Sequence, residues 1–422
     1  MSLWRKLQAN CHSIVQREHH YLPFIDGLRA IAVLLVFGFH VLFLSERLLG
    51  PKVYQGLLGS DHLLVNVFWQ GDKGVDLFFV LSGFLIASIL VREYQQTQSI
   101  KIRRYLTKRL ARICPALYGL LLCAALLGLP NSAQAWRNIL FINNYSGWDM
   151  LFAPWTWSVT VEVQFYLAVL LLLPLLYRWG RIPSSVMLLL LVLHVAYRAR
   201  LIMGHDVLFQ QPFAQVLADK TTRLLWLGDI YIDFFARIGP ILVGVLLGCI
   251  YRYPPPGWLR FFANSGKRAV GIGGLGVLLA LLVLSVPLYD PAGRYFSWVG
   301  SLGNGLLLSV HRLSFASAIG LIMVSQLFAP QGRDGLGRML AARCWVPFAR
   351  VSYSFYLYHI FALEFVYVHW PKHWGMSPWL NLALAGFLAL LLALLMAVIS
   401  YVLIEKNFID WARMRSAKAL SG

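Results

Sequence analysis

Phe24-Ile25-Asp26-Gly27-Leu28-Arg29-Ala30-Ile31-Ala32-Val33-Leu34-Leu35-Val36-Phe37-Gly38-Phe39-His40-Val41-Leu42-Phe43-Leu44 is an apolar segment long enough to cross a bilayer, and it carries Arg29 and His40. The two residues are eleven positions apart. At ~100° per residue that is about 1100°, three turns plus roughly 20°, so both project from one helix face. Along the axis they are separated by roughly 16 Å. Ionisable groups inside a span are costly and therefore functional suspects. A cation near one membrane surface and an imidazole three turns away suit a protein that admits a charged ligand from one side and does chemistry farther in.

The rest of the chain reads the same way. Of 422 residues, 59% are hydrophobic and only 13% charged, and the mean hydropathy is +0.65. That excludes an ordinary soluble domain and indicates an all-α, polytopic integral membrane bundle. The formal charge of +19 does not point to nucleic acid. Basic loops facing anionic membrane lipids account for it. Cys11, Cys114, Cys123, Cys249 and Cys344 form no CxxC pair, so neither a disulfide framework nor a metal site is expected. Residues 1–23 contain no apolar signal-peptide core. Leu3, Trp4, Leu7, Cys11, Ile14 and Val15 recur at helical spacing, which suits a short interfacial helix as well as a plain tail.

Ten apolar runs are expected to span the membrane, near residues 25–44, 75–93, 109–128, 157–177, 185–203, 238–252, 270–288, 305–329, 350–370 and 378–404. With the N-terminus inside, the inner segments hold 24 lysines and arginines and the outer ones 11; Arg29 and Arg312 lie within spans, completing the 37. The positive-inside rule then makes both termini cytoplasmic. The chain divides into a cytoplasmic N-terminal segment (1–20), a ten-helix membrane domain (21–408) and a basic cytoplasmic tail (409–422). The longest outer loop, 204–237, carries Trp226, Tyr231, Asp206, Asp229 and Asp233. It suits a polar acceptor, or simple packing on the bundle.

Arg103, Arg104, Arg109 and Arg112 sit in the inner loop entering the third span. Guanidinium groups bind phosphate bidentately, so the cluster fits a polyphosphorylated ligand. A stop-transfer anchor on anionic lipid is the competing reading. Glu162 opens the fourth span about 7 Å below the outer surface, and His40 ends about 6 Å short of it. The shared depth allows a carboxylate–imidazole pair, either catalytic or structural. His359 in the ninth span and His194 in the fifth read first as packing residues. Arg312 and His311 could snorkel outward. Ser82-Gly83-Phe84 looks like a close-packing small-residue site.

Taken in order, these segments resemble the membrane acyltransferase 3 family. Asp26-Gly27-Leu28-Arg29 with His40 resembles its R-x10-H motif. Gly74-Val75-Asp76-Leu77-Phe78-Phe79-Val80-Leu81-Ser82-Gly83-Phe84 resembles its second-span signature. Arg109-Leu110-Ala111-Arg112 with Pro115 resembles its RxxR segment. Trp157-Ser158 with Glu162, Phe165 and Tyr166, and Tyr353-Ser354 with His359, resemble two later motifs. Ile404-Glu405-Lys406 resembles the closing motif, except that Asn407 stands where proline is usual. Some members carry a fused SGNH-type domain, which this sequence lacks.

The resemblance implies an acyl-CoA donor on the cytoplasmic side, acetyl-CoA above all, acting as co-substrate with no tightly bound cofactor. It implies a hydroxyl acceptor on the far side, most simply a cell-envelope polysaccharide such as lipopolysaccharide, and residence in a bacterial inner membrane. His40, Glu162 and Arg29 become the expected catalytic residues: base, orienting carboxylate and oxyanion support. Arg103, Arg104, Arg109 and Arg112 become the expected donor-binding residues. Asp76, Trp157, Tyr166 and His359, inside the matching motifs, become expected substrate contacts. A covalent acyl-histidine is the other chemical route. The rival function is a proton-coupled transporter of a sugar or acyl carrier, since buried His, Glu and Arg suit that as well.

Overall fold

The structure is a computed structural model that describes residues 3–17, 22–60, 62–263, 266–328, 334–371 and 377–421. It is built from helices, with no strand among the described residues. The main helices are α1 (Leu3–Val15), α2 (Phe24–Phe43), α3 (Gly74–Thr97), α4 (Ile102–Leu126), α5 (Trp157–Ala168) and α6 (Ser184–Met203). They continue as α7 (Gly239–Arg252), α8 (Gly266–Ser285), α9 (Arg294–Phe328), α10 (Trp345–His369), α11 (Pro378–Ser400) and α12 (Lys406–Ser421).

All ten expected spans coincide with helices. Eight helical segments among the described residues are long and apolar enough to cross a membrane. The other two depart for physical reasons. α7 has 14 residues, a length of about 21 Å, short of the roughly 30 Å hydrocarbon core. α10 is long enough, but Arg350, Ser352, Ser354, His359 and Glu364 dilute its apolar surface. Both are held by burial within the bundle. α7 lies against α3 at backbone distance. A Cβ added at Gly83 would stand 2.1 Å from the Ile241 carbonyl oxygen, and one at Gly244 would stand 2.1 Å from that of Val80. The small residues of Ser82-Gly83-Phe84 therefore do what the sequence suggested.

The two chain ends meet at one end of the bundle. Asn10 of α1 donates to the Val402 carbonyl at 2.9 Å and to Asn407 at 3.2 Å, and Ser13 meets Tyr401 at 3.3 Å. Arg17 pairs with Asp26 at the start of α2, at 2.8 Å. α1 is thus packed on the bundle through Asn10 and Ser13 and through Leu7 and Ile14, while Trp4 and Val15 stay exposed. At the opposite end, the 204–237 loop folds into short turns whose Leu208, Phe213, Trp226 and Ile230 are buried together with Ile202, Leu288, Tyr295 and Leu308 from neighbouring segments. Asp233 caps a turn through the Ala236 N–H at 2.7 Å. Packing on the bundle, the plainer of the two readings, describes this loop.

Candidate active site

A cavity of about 1460 Å³ opens at the end where the termini meet. Its wall carries twelve lysines and arginines against two glutamates, Glu93 and Glu405. Arg104, Arg109 and Arg112 come from α4, where positions spaced by three and five residues place them on neighbouring faces of one helix. Arg29 comes from α2. Arg103, expected beside them, is exposed and not part of this wall. The sequence also missed Arg92, Arg343, Arg350 and Arg413, which reach the same cavity from α3, the segment before α10, α10 and α12. The available signal was that all four belong to the lysine- and arginine-rich inner segments.

Arg29, Arg109 and Arg112 line a second, narrower chamber as well, so the three form a collar where the two spaces join. The chamber runs between α2, α3, α4, α5 and α10. Its wall includes Phe78, Phe79, Ser82, Ser158, Glu162, Tyr166, Tyr353 and Tyr356. Glu162 accepts hydrogen bonds from Ser82 at 2.6 Å and from Tyr166 at 2.7 Å. The Arg109 guanidinium lies 5.9 Å from the centre of the Tyr166 ring. Tyr356 donates to the Trp155 carbonyl at 2.5 Å, so at the 2.6 Å contact between Tyr356 and Ser158 the serine hydroxyl is the donor.

The expected pairing of Glu162 with His40 is corrected by this arrangement. On α5, Glu162 is four residues beyond Ser158, about 6 Å toward the basic end. On α10, His359 is three residues beyond Tyr356, about 4.5 Å the other way. Since Ser158 and Tyr356 touch, the carboxylate and the histidines are about 10 Å apart along the bundle. Counting residues from span ends assumed that the spans begin level; they do not.

The partner of His40 is His359. His359 Nε2 lies 3.2 Å from His40 Nδ1, and the ring centroids are 4.8 Å apart. His40 Nδ1 is also 2.8 Å from the Val36 carbonyl, and His359 Nδ1 is 2.7 Å from that of Tyr356. Carbonyl oxygens only accept, so both Nδ1 atoms carry hydrogen in the neutral rings. The lone pairs then sit on the two Nε2 atoms. That of His359 faces His40 Nδ1, and that of His40 is left for chemistry. His359 is completely buried, whereas His40 is partly open. The Tyr356 ring, 5.6 Å from that of His359, ends the chamber on the side of the histidine pair.

Arg29 is too far away to support an oxyanion at His40. Both residues sit on the unbroken α2, roughly 16 Å apart along its axis, whereas such donors act at about 3 Å. Its place is in the collar.

Asp76 and Trp157, expected to touch substrate, belong to a buried charge cluster beside α2. Asp76 is fully buried, 2.7 Å from Arg312 and 3.0 Å from Arg237. Arg312 also bonds Asp72. It therefore does not snorkel outward. Arg237 stacks on the rings of Trp157 at 4.8 Å and Tyr231 at 5.1 Å. Arg198 is satisfied by the carbonyls of Ser309, Ala236 and Leu308 at 2.8–3.0 Å. His194 bonds the Phe235 carbonyl at 2.9 Å, as a packing residue does. Among the described residues no cluster of His, Cys, Asp or Glu is arranged to hold a metal ion.

The comparisons agree with the motif pattern. The family model described as an acyltransferase domain, Acyl_transf_3, matches residues 22–398. The O-acetyltransferase OatA of Staphylococcus aureus strain NCTC 8325 is 26% identical over 413 residues, covering 91% of this chain and 57% of its own. OatA of strain COL aligns to the same extent. A further relative in strain COL is 24% identical over 431 residues, 96% of this chain and 59% of its own. The chain thus spans a little under three fifths of the length of these curated relatives. No solved structure matches it. With a family model covering residues 22–398, most of its length, the chain belongs to the acyltransferase 3 family of integral membrane proteins.

Proposed function

We propose that the protein transfers an acyl group, acetyl in the simplest case, from acyl-CoA to a hydroxyl of an acceptor on the opposite side of the membrane. The observation that carries this reading is the layout of α2. It places Arg29 in the collar of a large basic cavity and, roughly 16 Å farther along, His40 with its Nε2 lone pair free. The cavity suits the nucleotide and its phosphates, with Arg104, Arg109 and Arg112 as ligands and Arg29 at the neck. The chamber, lined by aromatic and hydroxyl side chains, suits the uncharged pantetheine arm. The excess of lysine and arginine supports a cytoplasmic basic end. The acceptor is then extracytoplasmic, and a cell-envelope polysaccharide outside a bacterial inner membrane is the reading that fits.

The chemistry follows from the tautomers. His40 Nε2 takes the proton of the acceptor hydroxyl as its oxygen attacks the thioester carbonyl. The resulting imidazolium keeps its Nδ1–H on Val36 O and His359 Nε2. Collapse of the tetrahedral intermediate breaks the C–S bond, and His40 returns the proton to the departing thiolate. The products are the acyl ester and free CoA. Glu162 and Tyr166 act on the donor side. The transporter reading loses support from the family, whose model describes an acyltransferase.

The test uses membranes containing the protein, incubated with radiolabelled acetyl-CoA and a crude envelope glycan fraction. Acceptor-dependent release of free thiol, with label on the glycan, supports the proposal. Label that crosses the membrane with its thioester intact would contradict it and favour transport.

A further inference from the structure

If His40 is the base, an imidazolium forms in a corner of the protein that Glu162 does not reach. Another carboxylate lies on a turn packed against α2. Residues Gly71–Lys73 form a short 3-10 turn leading into α3, and this turn is pressed against α2. A Cβ at Gly71 would stand 2.2 Å from the Leu35 carbonyl oxygen and 3.3 Å from the Phe39 Cβ. One at Gly74 would stand 2.3 Å from the Ala32 oxygen and 2.8 Å from the Val36 side chain. The turn therefore lies on the stretch that ends at His40, including Val36, whose carbonyl bonds the His40 ring. Asp72, between the two glycines, is 3% exposed and sits on the turn packed against the stretch of α2 that ends at His40.

Asp72 is not alone there. Lys73 is buried and bonded to Gln70, Arg312 bridges Asp72 and Asp76, and Arg237 pairs with Asp76. The cluster holds three cations and two carboxylates. Other titratable groups near this corner are His359 on α10, Tyr289, whose ring lies 6.3 Å from that of Phe39, Tyr231, whose ring lies 5.1 Å from the Arg312 guanidinium, and buried His311 beside Arg312 on α9. Without Asp72, the cluster beside this turn would hold three cations and one carboxylate, in a low-dielectric interior where such charges act strongly.

We propose that Asp72 is a positioning residue for acyl transfer: held on α2 by the Gly71–Gly74 turn, it offsets the field of Lys73 and Arg312 at His40 and so permits the imidazolium of the transition state. The inference rests on the reading of His40 as the base. It assigns to Asp72 the charge-balancing role that the sequence suggested for Glu162.

The test compares purified wild type, Asp72→Asn and Asp72→Glu, with His40→Gln as reference. Asp72→Asn still leaves Asp76 to pair with Arg312. Its kcat is expected to fall roughly 10- to 100-fold, with the KM for acetyl-CoA unchanged within about twofold. The low-pH limb of its rate profile is expected to move about one unit toward lower pH, because removing a nearby negative charge disfavours protonated imidazole. Asp72→Glu, which restores the charge, should recover the position of that limb and most of the rate. A wild-type rate and profile in Asp72→Asn, together with an inactive His40→Gln, would overturn this inference alone. Full activity in His40→Gln would overturn the base assignment itself. Loss of donor binding in Asp72→Asn that Asp72→Glu does not restore would show a merely structural role and also overturn the inference.

Discussion

His359 Nε2 stands 3.2 Å from His40 Nδ1, across the contact between α10 and α2. With His359 Nδ1 bonded to the Tyr356 carbonyl, the geometry fixes which nitrogen of each ring holds hydrogen. With His40 as the proposed base, His359 would serve as an acceptor that orients His40 and stabilises its charged form, as a carboxylate does in more familiar triads.

His359→Ala should therefore lower kcat by about 10²-fold, within the range for a group that supports a base. The KM for the donor should change little, because the donor cavity is at the other end of the chamber. Residues that act as a unit are not additive. The double variant with His40→Ala is expected to be no slower than His40→Ala alone, which steady-state rates of the purified variants would check.

If the basic cavity holds the acyl-CoA donor as proposed, neighbouring arginines should differ in their effect. Arg109→Gln and Arg112→Gln each remove a charged hydrogen-bond donor from the collar. Each should raise the KM for acyl-CoA by roughly 10- to 100-fold, the equivalent of about 1.5–3 kcal/mol. Arg103→Gln, at an exposed position off the cavity wall, should stay within about twofold of wild type. Titration of CoA into the detergent-purified variants measures the difference directly.

Glu162 bonds Ser82 and Tyr166 rather than His40. Glu162→Gln should accordingly affect donor KM and leave the pH–rate profile superimposable on wild type. A displaced low-pH limb in this variant would restore the pairing that the structure corrects.

The contact between α3 and α7 is the most tightly packed place to test the fold. Gly83→Val puts a branched side chain where a Cβ alone would lie 2.1 Å from the Ile241 oxygen. Overpacking costs typically 1–3 kcal/mol and more against rigid backbone, so the variant should lose monodisperse protein on size exclusion. Gly56→Ala, with open space around its Cβ, should behave as wild type.

Outside the membrane helices, Asp290 staples the segment before α9. It pairs with Arg294 at 2.7 Å and accepts from the Ala292 N–H at 3.0 Å. Burial alone would raise its carboxyl, but the hydrogen bonds from Arg294 and Ala292 outweigh burial and hold it below the usual aspartate value. A lowered folded value means the stabilisation is present above the unfolded value and is lost as the pH falls through the folded one. Wild type should therefore melt higher than Asp290→Asn at neutral pH, with the gap closing below the ordinary aspartate range.

How much of this was legible in the sequence depends on the range of each relationship. The Arg29–His40 spacing and the Arg109–Arg112 pair follow from helix periodicity, which local sequence reports faithfully. The ten spans follow from apolar run length. His40 and His359 are 319 positions apart, and Arg343, Arg350 and Arg413 join Arg109 only through the packing of α4, α10 and α12. No spacing rule encodes such meetings. Glu162 meets Ser82 and Tyr166 instead of His40, a partner that depth counted from span ends does not reveal. Depth along the membrane normal gives neither the azimuth of a side chain nor the vertical offset between helices. Asp76 and Trp157 were read from their motifs as substrate contacts. Arg237 and Arg312, which hold them in the buried cluster, arrive from distant segments.

The central claim is that His40 removes the acceptor proton, and purified His40→Ala tests it most directly. With His40 as the base, this variant should bind CoA as wild type does, with acceptor-dependent thiol release reduced by about 10²- to 10⁴-fold. Thiol release at the wild-type rate, with donor bound and acceptor saturating, would contradict it.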